Sequence, residues 1–197
     1  MDARFLVMEQ FSRSRRAAIL LCIVVAGCSL NIETRRAGRH FFKVPAANLV
    51  ETLPWGLLSR GNGFMYIVDP AIDSADQTTV LVQDASEFCR GARDANHSVK
   101  TCGATPIWAF DPGKTSKLSR VGEGLSGSDS YYSSDTGQPI VSCFPLGSPS
   151  ERGDACTALL QYADLACVVS LNEKELGNLG RIGTRIRAQL TQWEVRR

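Results

Sequence analysis

Short apolar runs separated by turn-forming residues dominate the chain between residues 41 and 171. Runs of this length, bounded by Gly, Pro, Asn and Asp, are typical of β-strands in a half-buried sheet. Asp69-Pro70 and Asp111-Pro112-Gly113 place turn chemistry at the ends of two runs. The pattern predicts strands at residues 41–44, 63–69, 78–83, 107–111 and 139–144, and a hairpin over residues 155–171 that turns at residues 162–165.

Apolar residues at spacings of three and four indicate one long amphipathic helix near the C-terminus. They cover about five turns and share one helical face: Leu176, Leu179, Ile182, Ile186, Leu190 and Trp193. Asn172 followed by Glu175 resembles a capping box at its start. Strands and helix together predict an α+β fold, with a small antiparallel sheet and a long C-terminal amphipathic helix packed on it.

Two further segments carry weaker structural signals. Gly177, Gly180 and Gly183 interrupt the first half of the C-terminal helix and indicate close packing against the sheet. Residues 45–58 predict a short helix. Residues 115–138 are rich in Gly, Ser, Thr and Asp, so we expect a long loop there, and its Tyr131-Tyr132 pair is a candidate contact surface.

The first 28 residues follow a different pattern, in which a basic segment precedes an apolar run. Residues 1–18 hold four arginines, and the apolar run occupies residues 17–27. At 1.5 Å per residue this run covers only about half of a ~30 Å hydrocarbon core, but it has the length of a signal h-region. It ends in Val25-Ala26-Gly27-Cys28, which resembles the lipobox of bacterial lipoproteins.

The resemblance covers residues 1–28 and implies that residues 1–27 are a signal peptide, removed in front of Cys28. It also implies that Cys28 carries acyl chains, such as palmitate, which hold the protein at a membrane. Ser29 is similar to the residue that follows the cysteine in lipoproteins sent to the outer membrane. We therefore expect an outer-membrane lipoprotein facing the periplasm, with a tether over residues 28–39 and one globular domain over residues 40–197.

Removal of residues 1–27 leaves a neutral chain with 18 Lys and Arg against 18 Asp and Glu. A neutral chain has no overall field to attract nucleic acid, and no basic stripe interleaved with aromatic residues is present, so nucleic-acid binding is not expected. Arg35, Arg36 and Arg39 cluster near the predicted anchor. They either contact anionic lipid head groups or lie along a solvated tether.

Export makes the five remaining cysteines disulfide candidates. Cys89 and Cys102 flank a polar loop, and closing a loop of that size stabilises by about 3 kcal/mol in the chain-entropy model. In the predicted hairpin, Cys156 and Cys167 are offset by about 13 Å along the strands, which is too far for a bridge. This favours Cys143–Cys156 and leaves Cys167 as a buried free thiol.

No catalytic, nucleotide-binding or metal-binding motif fits its context, so no cofactor is expected. The G-x-G-x-x-G match at residues 122–127 lacks the strand before it and the helix after it that a dinucleotide site needs. His40 and His97 are the only histidines, and without metal-ligand spacing they are expected to be solvated, His40 in the tether and His97 in the polar loop.

Three functions remain open from the sequence. The favoured one is a non-enzymatic envelope lipoprotein that binds another protein, either as an assembly subunit or as an immunity-type protein that neutralises a periplasmic toxin. The second is a cell-envelope hydrolase with an unrecognised carboxylate pair. The third is a lipoprotein that binds a small molecule in a sizeable pocket.

Overall fold

The computed structural model describes residues 31–50, 62–74, 76–94, 109–115, 117–123, 130–133, 139–145 and 153–196. The predicted lipobox with Cys28, and also Cys102 and His97, lies outside these residues. Within them the elements are β1 (Ile32–Ala37), β2 (His40–Pro45), β3 (Gly63–Ile67), β4 (Thr79–Asp84), α1 (Ala85–Asp94), β5 (Ser119–Glu123), β6 (Ser130–Ser133), β7 (Pro139–Phe144), β8 (Ala155–Tyr162), β9 (Leu165–Asn172) and α2 (Leu179–Trp193), with 3-10 helices at Ala46–Asn48 and Glu173–Asn178.

The described strands form two separate sheets. Seven of them build one antiparallel sheet in the order β3-β4-β9-β8-β7-β6-β5, while β1 and β2 pair as a hairpin of their own. Most strands that are adjacent in this sheet are also consecutive in the sequence. The exception is the pairing of β9 with β4. With α2 as the long C-terminal helix, the structure confirms the predicted α+β fold.

The core lies between one face of the sheet, the apolar face of α2 and the β1–β2 hairpin. Strand alternation directs one side of β8 and β9 to this core, and α2 contributes Leu179, Ile186 and Leu190, all fully buried. At one end of the core, four aromatic rings form a continuous chain from β2 through β3 to the end of α2: Phe42, Phe64, Tyr66 and Trp193.

The β8–β9 hairpin matches the register expected from the sequence. Leu160 lies opposite Cys167, and Cys156 lies opposite Leu171, so these two cysteines are separated along the strands. Cys156 instead lies directly opposite Cys143 on β7. The structure contains the favoured disulfide Cys143–Cys156, with Cα atoms 4.0 Å apart, and Cys167 is a buried free cysteine.

The N-terminal boundary differs from the expected one. Residues 32–37, assigned above to a tether, form β1, which pairs along its length with β2. The domain therefore begins at about Ile32, before His40. Most side chains of β1 are polar, and only Ala37 is fully buried, so no apolar alternation identifies this strand in the sequence. Its signal is the Gly38-Arg39 loop, in which Gly38 has the positive φ of 53° that a tight hairpin favours.

Residues 115–138 are not one structureless loop. Residues 119–123 and 130–133 are β5 and β6, which pair with each other and extend the sheet beyond β7. The predicted strand at residues 107–111 is not found in its described part, 109–111. Phe110 N–H instead donates to Leu159 O at 2.8 Å, next to β8 and beyond the last pair of β7.

Helix boundaries also differ in detail. Helix α1 has no counterpart among the predicted elements, although Asp84 and Glu87 have capping-box spacing, and Asp84 Oδ1 accepts the N–H groups of Ser86 and Glu87. The capping box predicted at Asn172 is wrong, because Asn172 makes no side-chain cap and donates to Asp76 instead. The first turns of the C-terminal helix are 3-10 helix, and the described part of residues 45–58 contains only the turn Ala46–Asn48.

The three helix glycines have different surroundings. A Cβ at Gly183 would lie 2.5 Å from Phe110 and 2.7 Å from Pro112, and one at Gly180 would lie 2.9 Å from the carbonyl oxygen of Pro112. Both glycines allow α2 to approach the segment of residues 109–115, and not the sheet itself. Gly177 has no heavy atom within 4 Å of the Cβ position, so no close contact requires glycine there.

We expect Gly183→Ala to destabilise the protein by about 1–3 kcal/mol, because the added methyl overlaps a buried ring. Gly177→Ala is the matched control and should be neutral or stabilise by up to about 1 kcal/mol, since it restricts the unfolded chain without a clash. Urea unfolding of both variants measures the difference. Equal stability of the two variants would contradict the packing described for Gly183.

Candidate functional site

The described residues bring five polar side chains together at one end of the core, and we call them the His40 cluster: His40, Arg39, Tyr162, Asp164 and Glu194. His40 Nδ1 lies 2.5 Å from Glu194 Oε1, and His40 Nε2 lies 2.5 Å from Asp164 Oδ1. Tyr162 donates its hydroxyl to the other Glu194 oxygen at 2.8 Å. Arg39 pairs with the second oxygen of Asp164 at 3.1 Å.

Three separate turns and ends of the chain position the His40 cluster. Arg39 comes from the β1–β2 turn and His40 from the first position of β2, while Asp164 comes from the β8–β9 turn and Glu194 is the residue after α2. The β8–β9 turn is tight because Ala163 adopts a φ of 51°. The end of α2 is held against β2 by the bridge between Phe42 and Glu194, and Val195 N–H donates to Phe41 O at 2.8 Å.

The electrostatics of the cluster favour a protonated imidazole. Burial by itself lowers the pKa of His40, whose side chain is 14% exposed, but the hydrogen bonds and charges of Glu194 and Asp164 together outweigh burial and raise this pKa above its usual 6.5. In turn, the hydrogen bond from His40 is the largest effect on both carboxylates, and the pKa values of Glu194 and Asp164 are lowered.

The groups of the cluster bind one another and so link separate parts of the chain; we call this structural link the clasp. When the imidazole is protonated, both ring N–H groups donate to carboxylates, so neither nitrogen is left to accept a proton from a substrate. A general base needs an unprotonated nitrogen within reach of the reacting group. The expectation that His40 is a solvated tether residue is wrong, because the residue ties β2 to the β8–β9 turn and to the end of α2.

Sequence reasoning missed the partners of His40 for a physical reason. Asp164 and Glu194 are 124 and 154 residues away from it along the chain, and each follows an ordinary turn or helix pattern. The one local signal is the turn predicted at residues 162–165, which gives no information on its proximity to His40.

The candidate contact residues Tyr131 and Tyr132 both belong to β6. Tyr132 is half-buried against the core, and its hydroxyl donates to Glu173 at 2.5 Å, which with burial raises the pKa of Tyr132 to about 12. This side chain therefore serves packing within the domain. Tyr131 pairs with Ser142 of β7, and its side chain lies outside what the structure describes.

The other cysteines of the domain have structural positions. Cys89 lies in α1 and is disulfide-bonded, while Cys102, its predicted partner, lies outside the described residues. Burial raises the pKa of Cys167 to about 12, which keeps the thiol protonated and unreactive in the folded protein.

Two carboxylates in loops beside α2 are engaged with its arginines. Asp69 Oδ2 accepts from Arg185 at 2.9 Å, and its other oxygen accepts the N–H of Ala71. Asp111 Oδ1 accepts from Arg187 at 3.4 Å and from the N–H of Gly113. These acids thus act as turn formers that also hold the loops against the helix.

Two features are absent from the part of the chain that the structure describes. No group of three or more His, Cys, Asp or Glu side chains is placed to hold a metal ion in those ranges. None of the described helices combines the length and the apolar character that a membrane span requires.

Comparison with known proteins identifies no family. No family model matches the chain, and no curated protein matches it. Among solved structures the chain is similar to "The Structure of Smlt3025, an immunity protein of the Stenotrophomonas maltophilia type IV secretion system". The TM-score is 0.45 at 11% sequence identity, over 84% of this chain and 94% of that chain. A likeness of this size shows neither a shared family nor a shared function.

The His40 cluster predicts a specific pH dependence of stability. A raised pKa means that the contribution of His40 is fully present below pH 6.5 and is lost as the pH rises through the folded-state pKa. The lowered pKa values of Glu194 and Asp164 mean that their contribution is present above about pH 4.5 and is lost as the pH falls. Stability from the cluster is therefore greatest between about pH 4.5 and 6.5.

We expect His40→Gln to reduce the free energy of unfolding by about 2–3 kcal/mol at pH 6, and by less as the pH rises through the raised pKa of the imidazole. Tyr162→Phe is the control, since it removes the hydroxyl that donates to the Glu194 carboxylate and leaves the imidazole in place. Its cost should be about 1.5–3 kcal/mol and should not change over the same pH range. Parallel pH profiles for wild type and His40→Gln would contradict the clasp.

Proposed function

We propose that the protein is a lipoprotein of the bacterial envelope, anchored through Cys28, whose α+β domain acts by binding another protein. The observation that carries the binding role is the closed His40 cluster, in which the converging titratable groups bind one another. Both nitrogens of the imidazole already bind carboxylates of the same domain. We therefore assign the binding of a partner to the surface of the domain and not to this cluster. An assembly subunit and an immunity-type protein both fit this description.

The anchor rests on the lipobox-like residues 25–28, and the start of β1 determines how far the domain would lie from it. Only residues 29–31 separate Cys28 from β1. A domain that starts so soon after the lipidated residue is held close to the membrane surface. We place the anchor at the outer membrane, facing the periplasm, because Ser29 follows the cysteine.

The β5–β6 hairpin is the surface that we propose for the protein partner. Among the described strands β5 is the last of the seven-stranded sheet, and a terminal strand is where an added chain can extend a sheet by main-chain hydrogen bonds. Tyr131 lies on this hairpin, and tyrosine supplies large contact area with little loss of side-chain entropy.

The anchor predicts that wild-type protein has lost residues 1–27, carries the added mass of acyl chains and sediments with membranes, while Cys28→Ala does none of these. Two or more acyl chains, at roughly 0.8 kcal/mol per buried methylene, hold a protein stably. Cys22→Ala is the control, because that cysteine lies within the predicted signal peptide. Intact mass and membrane fractionation measure both variants, and a wild-type protein that retains residue 1 would contradict the anchor.

The binding surface predicts site-specific cross-linking in intact cells. A photo-reactive phenylalanine analogue at position 131 should give one discrete heavier band, because it replaces one aromatic residue with another on the proposed contact hairpin. The same analogue at Ile72, which is 46% exposed in a loop beside α2, is the control and should give none. Identical band patterns at both positions, or no band at position 131, would count against a partner on the β5–β6 hairpin.

A further inference from the structure

The β1–β2 hairpin has two chemically different faces. Residues that pair directly across the two strands share a face, and one such set, which we call the outer hairpin face, is Ile32, Thr34, Arg36, Phe41, Lys43 and Pro45. Ile32 is 53% exposed, and Arg36 and Lys43 are also exposed. The opposite face carries Ala37, Phe42 and Val44, each fully buried in the core.

Positive charge without negative charge marks the outer hairpin face. Arg36 and Lys43 lie on it, and Arg39 extends from the adjoining turn with its side chain 81% exposed while pairing with Asp164. The hairpin has one acidic residue, Glu33, which lies on the inner side and pairs with Arg35. Of the three arginines that lie close together in the sequence, strand alternation therefore places Arg35 on the inner side, apart from Arg36 and Arg39. It brings Lys43 of β2 to the same face as Arg36.

Aromatic and apolar groups complete this face. The guanidinium of Arg36 lies 5.8 Å from the centre of the Phe41 ring and donates to the carbonyl of Gly38 at 2.8 Å, so its charge is held on the outer side. Phe41 and Ile32 add apolar surface beside the basic side chains. A basic face with aromatic and aliphatic residues is typical of surfaces that rest on the interface of an anionic membrane.

The proposed anchor brings this face to the membrane. Four residue steps separate Cys28 from Ile32, so the two Cα atoms are at most about 14 Å apart even in a fully extended chain. Charges act over about 8–10 Å at physiological ionic strength. Basic residues at the start of the domain are thus within electrostatic reach of head groups around a lipidated Cys28.

We propose that the outer hairpin face docks on the anionic head groups of the membrane that holds the anchor; this inference rests on the proposed function. Docking sets the orientation of the whole domain, because the His40 cluster and the bond between Val195 and Phe41 hold the hairpin rigidly on the core. Each basic residue near an anionic surface favours the docked state roughly fivefold, so Arg36 and Lys43 together favour it about 25-fold.

Lysine acetylation tests the docked state in the intact lipoprotein. The purified protein is inserted into preformed vesicles of phosphatidylglycerol and phosphatidylethanolamine, or of phosphatidylcholine alone, and treated with a membrane-impermeant acetylating reagent. We expect Lys43 to react about tenfold or more slowly on the anionic vesicles, and the protection to disappear at high salt. Lys174, an exposed lysine of the 3-10 helix before α2, is the internal control and should react equally on both.

Charge reversal identifies the face. Arg36→Glu should return the Lys43 rate on anionic vesicles toward the rate on neutral ones, whereas Arg181→Glu, the same change at an exposed site on α2, should leave Lys43 protected. The wild-type comparison of the two lipids decides the question even if a variant folds poorly. Equal Lys43 rates on both lipids, or protection only in native envelopes that contain protein, would overturn the docking.

Intact mass on the same sample separates this inference from the proposed function. An acylated protein whose Lys43 reacts equally on both lipids overturns the docking and leaves the anchor in place. A protein without acyl chains overturns the anchor and the docking that rests on it.

Discussion

The close approach of α2 to the core is the constraint on which the rest of the structure depends. The sheet can bury its inner face only under an apolar cover, and α2 supplies that cover through Leu179, Ile186 and Leu190. Each fully buried side chain of this size contributes about 1.5–3 kcal/mol. Gly183 sets the distance between α2 and the segment of residues 109–115, because the Phe110 ring occupies the space in which a Cβ would lie. The same helix then delivers Glu194 to the end of the core.

The His40 cluster closes that end. It joins the N-terminal hairpin, the β8–β9 turn and the residue after α2 by charge-assisted hydrogen bonds, and the neighbouring bond from Val195 to Phe41 adds a main-chain link. The two ends of the described chain are therefore held together at one place. A partly buried imidazolium between two carboxylates is stable only when all three groups remain paired, so the cluster favours one arrangement of the hairpin on the core.

The attachment of the hairpin to the core determines how the proposed anchor would orient the domain. A lipidated Cys28 followed by a loose tether would let the domain rotate freely, whereas a strand that starts at Ile32 and is held to the core transmits the orientation of the hairpin to the whole domain. In this proposal the basic outer hairpin face meets the membrane, and the β5–β6 hairpin, at the end of the seven-stranded sheet, presents the contact surface for a protein.

The sequence by itself determined the elements that have a strong local period. The long amphipathic helix, the β8–β9 hairpin, strand β7 and the Cys143–Cys156 bridge all follow from patterns within about twenty residues, because helix and strand periodicity and hairpin register are local properties. Only the tertiary structure decided the polar strand β1, the strands β5 and β6, and the partners of His40. Asp164 and Glu194 lie more than a hundred residues from His40, and pairing at that distance leaves no period in the sequence. The strands β1, β5 and β6 pair with near neighbours in the chain, but their largely polar residues show no apolar alternation that would identify them.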